Sequence, residues 1–281
     1  MYNRSPEKAK RWQEKYRGEI QFEDLVQEDM APTPAEAAQG ADIVFSCVGD
    51  DNDLKDITIG EQGAFKGMKS GALFVDHTTV SADITRELSV IAADSQLGYL
   101  DAPVSGGQQG AENGLLTIMV GGSETDFNIA KPVLQHYARE VTLMGPVGNG
   151  QLCKMVNQIC VAGLIQGLAE GLSFAQASGL DREQVINVIS KGAAQSWQME
   201  NRYKTMLAGE YNHGFAVDWM RKDLAIALKE SSSNGVQLPI TQLVDEFYGD
   251  VQAMGGSRWD TSSLLARLEA INSEDNKSPN N

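Results

Sequence analysis

From residue 151 the segment QLCKMVNQICVAGLIQGLAEGLSFAQASG runs without proline and stops at Gly179, a glycine suited to the position just past a helix end. A continuous helix over these residues, about thirty in all, spans roughly 45 Å, enough to leave one domain and form the spine of another. Helical patterning continues in DREQVINVISKG, from about Phe215 to Asn234, and in LPITQLVDEFYGDVQAMG, with no return of a strand signal. Upstream the period is different. Between Ala41 and Met144 the short apolar runs DIVFSCV, ALFVDHT, GYLDAPV, LLTIMVG and EVTLMG recur. They are rich in β-branched and aromatic residues and do not alternate, which suits strands buried on both faces. Between two of them, SADITRELSVIAADSQ sets Ile84, Leu88, Ile91 and Ala92 at helical spacing. Strand alternating with helix implies an α/β Rossmann-like, doubly wound and largely parallel sheet with ligands at the carboxyl ends of its strands. The expected organisation is an α/β domain over residues 1–147 and an all-α domain over 148–272, built on the long interdomain helix. A frayed tail over 273–281 completes it, since SEDNKSPNN has no apolar side chain to bury.

A net charge of −15 over 281 residues opposes nucleic acid and anionic membrane surfaces as partners, while leaving room for a local basic pocket. Cys47, Cys153 and Cys160 form no C-x-x-C pair, and an odd count points to a reducing cytoplasm. No run matches the roughly twenty apolar residues of a membrane span, and no signal peptide is visible. A cytoplasmic location is therefore expected. No H-E-x-x-H or paired Cys and His set marks a metal site. His77 follows a strand end, His136 and His213 read as surface residues, and Met119, Met144 and Met155 read as core filler.

Residues 101–122, DAPVSGGQQGAENGLLTIMVGG, carry six glycines yet fit neither G-x-x-x-x-G-K-[ST] nor G-x-G-x-x-G, and the latter occurs nowhere in the chain. Ser105, Gly106 and Gly107 follow a predicted strand at once. There a hydroxyl and bare amides could hold a small carboxylate, or the loop could simply need glycine's φ freedom. No G-x-S-x-G elbow surrounds Ser105, so it is not a hydrolase nucleophile by motif. On the long helix Lys154 stacks with Asn157, Gln158 or both. An ammonium there could protonate a carbonyl oxygen as hydride reaches the carbon, with an amide orienting that carbonyl. The apolar neighbours Leu152, Cys153, Met155 and Val156 favour partial burial and a lowered pKa for Lys154. Lys222 and Asp223 in FAVDWMRKDLAIAL read by themselves as an ordinary exposed charge pair. At the start, MYNRSPEKAKRWQEKY reads as the last residues of a strand, a turn, and a helix opening near Pro6 with Ser5 as cap. Asn3, Arg4 and Ser5 then lie where a dinucleotide fold reads the adenosine ribose, and an arginine there suits a 2′-phosphate.

Taken together these segments resemble the β-hydroxyacid dehydrogenase family, whose members include 3-hydroxyisobutyrate dehydrogenase and tartronate semialdehyde reductase. DAPVSGGQQGAENGLLTIMVGG is similar to the family's substrate-binding segment, GNGQLCKMVNQ to its catalytic-helix motif, and KDL at 222–224 to a third motif. DHTTVS at 76–81 resembles its cofactor-contacting element, and YNRS the end of its second strand. The resemblance covers essentially the whole chain. It implies interconversion of a small β-hydroxyacid and its semialdehyde or keto form, with Lys154 as general acid and base and Asn157 helping to hold the substrate. Ser105, Gly106 and Gly107 would grip the substrate carboxylate. Asn3, Arg4, Ser5, Val48, Thr79, Phe215 and Lys222 would contact the cofactor, NADP(H) rather than NAD(H), in a homodimer or homotetramer.

The family's opening strand, G-x-G-x-x-G turn and helix, about thirty residues ahead of the YNRS position, have no counterpart in these residues. The expectation is an N-terminally truncated sheet with an exposed edge and weak NADP(H) binding by these residues alone. The alternative reading is a non-catalytic dimerising homologue that cannot bind cofactor. A decarboxylating dehydrogenase of the 6-phosphogluconate type is a further alternative. It is disfavoured because that family has K-x-x-H-N where this chain reads Lys154-Met155-Val156-Asn157-Gln158.

Overall fold

Strand pairing gathers the apolar runs into one six-stranded sheet. The computed structural model describes residues 1–16 and 30–275. The chain divides into two compact units, Met1–Gly106 with Asn113–Leu152, and Gly107–Glu112 with Cys153–Asn281.

The first unit opens with helices α1 (Pro6–Tyr16) and α2 (Pro34–Ala38), then β1 (Ile43–Ser46), α3 (Asp51–Ile59), β2 (Leu73–Asp76), α4 (Ala82–Asp94), β3 (Gly98–Asp101) and β4 (Val104–Ser105). The short helix α5 (Gly107–Glu112) belongs to the second unit, after which β5 (Leu116–Gly121), α6 (Glu124–Leu134) and β6 (Ala138–Gly145) complete the first. Side chains of Asp50, Ser81 and Ser123 cap α3, α4 and α6, each satisfying amides that the first helical turn leaves free.

Strands β1, β2 and β3 pair in parallel and in step, so that Ser46, Asp76 and Asp101 stand side by side at their carboxyl ends. β5 runs antiparallel to β3 and β4 and parallel to β6. The sheet is therefore largely parallel, as expected, but mixed, with antiparallel pairing where β5 meets β3 and β4. Only a short stretch with one small helix joins β4 to β5, too little for the crossover that a parallel return requires. β4 resumes the register of β3 along β5: Asp101 opposes Gly121, Val104 opposes Ile118 and Ser105 opposes Thr117. Double-sided burial holds for β2 and for most of β3 and β5, whereas β6 alternates half-buried with exposed residues as an edge strand. One face packs Phe74, Leu88 and Tyr99 against Leu54, and the other packs Val75, Leu100 and Ile118 against Phe127 and Leu134.

In the second unit α7 (Asn149–Ala177) is followed by α8 (Arg182–Ile189), α9 (Trp197–Ala208), α10 (Val217–Asn234), α11 (Pro239–Ala253) and α12 (Leu264–Asp275). Leu172, Met220, Leu224, Tyr248 and Leu264 fill its core; each such enclosed Leu or Met contributes about 1.5–3 kcal/mol through removal from water.

Several expectations are corrected. Met1–Ser5 contain no strand, because no described neighbour supplies a ladder; the Met1 carbonyl accepts from the Ala31 amide at 2.8 Å. The helix does open at Pro6 as expected, and Ser5 stands at its cap position, its carbonyl accepting from the Lys8 amide at 2.9 Å. α12 runs through Asp275 into the predicted tail, whose last residues, 276–281, lie outside the described ones. Met144 is exposed on the edge strand rather than core filler, and His213 is half-buried. α7 is long and apolar enough to cross a membrane by length and composition, against the expectation of no such stretch; its Ala162, Ile165, Leu168, Ala169 and Leu172 are instead core of the second unit.

Candidate active site

In the first unit the site is organised by two buried carboxylates at the strand ends. Asp76 Oδ1 accepts from the Ser46 hydroxyl at 2.6 Å, the Thr78 hydroxyl at 2.6 Å and the Thr78 amide at 3.2 Å. The Thr78 oxygen in turn accepts from the Val48 amide at 2.9 Å. One carboxylate thus fixes the backbone that follows both β1 and β2, where Val48 and the half-buried Thr79 lie. Asp76 Oδ2 has no hydrogen-bonding partner among the described residues. Burial pushes the Asp76 carboxyl up to about 6, with nearby Asp101 adding to the rise against the opposing hydroxyl and amide bonds.

Asp101 serves the backbone. Its Oδ1 accepts from the Gly148 amide at 2.7 Å and its Oδ2 from the Gln151 amide at 2.9 Å, an anion set against the positive end of α7. The Gln151 side chain donates to the Thr78 carbonyl at 2.8 Å and accepts from the Val80 amide at 3.1 Å. The first turn of α7 is thereby tied to the ends of β2 and β3. A Cβ at Gly121 would collide with Asp101, so glycine there makes room for the carboxylate.

Ser105 ends β4, and Gly106 and Gly107 leave it with φ of 130° and 62°, a left-handed passage that favours glycine. Ser105 and Gly106 belong to the first unit, whereas Gly107 begins α5 in the second. At the chain start the Arg4 guanidinium, 78% exposed, lies 2.6 Å from Asp53 Oδ1, and Asn3 Oδ1 accepts from the Ser5 amide at 2.8 Å. An exposed pair of this kind contributes little to stability.

In the second unit Lys154, Asn157 and Gln158 occupy consecutive turns of α7, and the Lys154 side chain is buried. Burial lowers its amine pKa; the Asp223 charge opposes that shift and the Lys222 charge reinforces it. Gln158 donates to Asp223 Oδ2 at 2.7 Å, and Asn157 donates to Gln158 Oε1 at 2.8 Å. Lys222 Nζ stands 3.2 Å from Asp223 Oδ1 and 5.7 Å from the Trp219 ring centre. The expected exposed charge pair is therefore a buried carboxylate with a half-buried lysine. Burial pushes Asp223 up, while Lys222, Lys154 and Gln158 hold it down. Phe215, just before α10, donates its amide to Asp260 Oδ2 at 2.9 Å.

The sequence singles out Lys154, Asn157, Gln158 and Lys222 but does not mark Asp76, Asp101 and Gln151 as organisers or Asp223 as the acid between two lysines. Asp223 carried a signal, since FAVDWMRKDLAIAL places it on the apolar side of a helix beside Met220 and Leu224. The partners of Asp101 are amides 47 and 50 residues away, which leave no side-chain pattern to read.

Residues 1–145 match the NAD binding domain of 6-phosphogluconate dehydrogenase, and residues 148–268 match the NAD-binding domain of NADP-dependent 3-hydroxyisobutyrate dehydrogenase. The chain is 60% identical over 269 residues to an uncharacterised oxidoreductase of Shewanella frigidimarina, covering 96% of this chain and 89% of that protein. It is 35% identical to 2-hydroxy-3-oxopropionate reductase of Escherichia coli, over 85% of this chain and 82% of the relative. The crystal structure of 3-hydroxyisobutyrate dehydrogenase from Salmonella typhimurium superposes with a TM-score of 0.77 at 28% identity, over 84% of this chain and 83% of that one. The chain belongs to the β-hydroxyacid dehydrogenase family of NAD(P)-dependent oxidoreductases.

Proposed function

We propose that this protein interconverts a small β-hydroxyacid and its semialdehyde or keto form, with NADP(H) as cofactor and Lys154 as general acid and base. The observation that carries this reading is the buried Lys154 amine under the influence of a buried carboxylate, Asp223. A bound nicotinamide cofactor supplies the hydride for reduction and accepts it in the reverse direction. Lys154 gives its proton to the substrate oxygen during reduction and recovers one in oxidation. A lowered pKa suits both directions, because the amine then exchanges its proton nearer to neutral pH. Asp223 keeps the ammonium form accessible, and Asn157 orients the substrate oxygen. The Ser105 hydroxyl and the Gly106 and Gly107 amides grip the substrate carboxylate, which fixes the reacting carbon.

The donor set of the chain fits the cofactor at two places. Arg4 suits a 2′-phosphate, and the fixed backbone after β1 and β2 presents Val48 and Thr79 where a dinucleotide fold binds its ligand. Phe215 and Lys222 complete the proposed contacts. The small-acid reading is supported by the named relative that reduces 2-hydroxy-3-oxopropionate.

The test is turnover of 2-hydroxy-3-oxopropionate with NADPH and with NADH, and of 3-hydroxyisobutyrate with the oxidised cofactors. NADPH should be preferred, and equal use of both would count against the Arg4 assignment. In a cofactor-competent form, Lys154→Ala should lower kcat by on the order of a hundredfold or more, with the affinity for NADPH measured by calorimetry nearly unchanged. Near-normal turnover in that variant would remove Lys154 from its role.

A further inference from the structure

His77 takes no part in the proposed proton transfer, yet both nitrogens of its half-buried ring are committed. Nδ1 lies 2.6 Å from the Ala102 carbonyl oxygen and Nε2 lies 2.8 Å from the Tyr137 hydroxyl. A carbonyl only accepts, so the ring proton sits on Nδ1, and Nε2 is left to accept from the tyrosine O–H. Phe45 stacks on the imidazole with centroids 5.8 Å apart and planes 14° apart, while Tyr137 meets both rings edge-on. The imidazole has no rotamer freedom left to spend. Burial lowers its pKa against the opposing bond to the Ala102 carbonyl, and the neutral ring is the form that matches its partners.

What the ring holds is the break between β3 and β4. The Ala102 amide donates to the Asp76 carbonyl at 2.7 Å, and its own carbonyl receives His77. This peptide is thus gripped on both sides before the Pro103 carbonyl rejoins β5 by accepting from the Met119 amide at 3.1 Å. Pro103 brings no N–H to this stretch, so without His77 the Ala102 carbonyl is a buried acceptor left unmet. Ser105 and Gly106 follow within four residues of that carbonyl.

We propose that His77, locked by Tyr137, is a positioning residue that fixes the Ala102 carbonyl and through it the placement of Ser105 and Gly106. This rests on the reading of Ser105 and Gly106 as the carboxylate grip. It makes the imidazole a fixed strut with a required tautomer.

The test uses the full chain with ¹⁵N-labelled histidine. The ring of His77 should show the Nδ1–H tautomer at neutral pH; an Nε2–H tautomer or an imidazolium there overturns the proposal. Two substitutions separate the nitrogens, because an asparagine amide can stand in for Nδ1–H and a glutamine amide reaches only as far as Nε2. Amide exchange at Val104, Ser105 and Gly106 should rise by about tenfold in His77→Gln and stay within roughly twofold of wild type in His77→Asn. Equal exchange in all three proteins overturns the proposal. Should His77→Gln fail to fold, Tyr137→Phe replaces it: a rise in exchange at Val104, Ser105 and Gly106 supports the locking role, and unchanged exchange refutes it. Addition of 3-hydroxyisobutyrate to the wild-type chain should shift the Ser105 and Gly106 amide resonances. If they do not move while the exchange results hold, the carboxylate reading fails and the role of His77 stands. If they move equally in His77→Gln, the carboxylate reading stands and His77 does not position the grip.

Discussion

Asp101 and Asp223 are both buried acids whose pKa is raised first by burial, but they keep different company. Asp101 at the end of β3 collects backbone amides at the start of α7, whereas Asp223 on α10 collects the side chains of Lys222 and Gln158 and the charge of Lys154. Backbone donors cannot change protonation at working pH; lysines can. The first arrangement spends a carboxylate on architecture and the second sets it against a proton that must move. The nature of the neighbours, more than depth of burial, separates a structural acid from one serving chemistry.

Removing the architectural acid should have the largest effect on folding. Asp101→Ala strips acceptors from the Gly148 and Gln151 amides and should lower stability by about 3 kcal/mol or more, read as a fall in the urea midpoint. A loss of under about 1 kcal/mol would mean that α7 is anchored elsewhere.

Asp76 stands between the two cases, with hydroxyl and amide partners on one oxygen and none on the other. Its folded-state pKa, about 6, lies above the ordinary carboxyl value of 3.8. Its contribution to stability is therefore full below about pH 4 and is lost as pH rises through about 6, a loss reaching on the order of 2–3 kcal/mol. Asp76→Asn should abolish that slope. The stability difference between variant and wild type, followed by denaturant titration from pH 4 to pH 7.5, should move in the variant's favour; a flat difference would mean that Asp76 ionises freely in the fold.

The smallest and most diagnostic change is Asp223→Asn. Loss of the carboxylate lets burial and Lys222 lower the Lys154 pKa further, so the alkaline limb of the pH–rate profile for reduction should move to lower pH. At pH 8 reduction should fall by roughly tenfold. An unmoved limb with reduced kcat would place Asp223 with Asp101 as a structural acid.

Much of this molecule was legible because its cores are regular. Five runs of β-branched and aromatic residues became β1, β2, β3, β5 and β6, and the proline-free stretch became α7. What escaped has identifiable causes. β4 is two residues long, below any periodic signal. α5 is a helix written GQQGAE, whose glycines disguise it as loop. α9 reads as polar, although Ser196 caps it and Gly209 closes it in the left-handed conformation. At the site, helical spacing exposed Lys154, Asn157 and Gln158 because their relation is local. The roles of Asp76 and Asp101 depend on strands being in step, and the tautomer of His77 on a carbonyl 25 residues away; neither is encoded by spacing.

The shared register of β3 and β4 along β5 gives Ser105 a parity. Its place opposite Thr117 depends on counting in twos from Asp101 opposite Gly121. One residue inserted at the Ala102–Pro103 break, with both ladders kept, would seat Val104 opposite Thr117 and turn the serine to the other side of the sheet; two would restore its side. Length variation at this break should therefore come in even steps, a constraint of arithmetic on a segment that looks, residue by residue, like a permissive glycine loop.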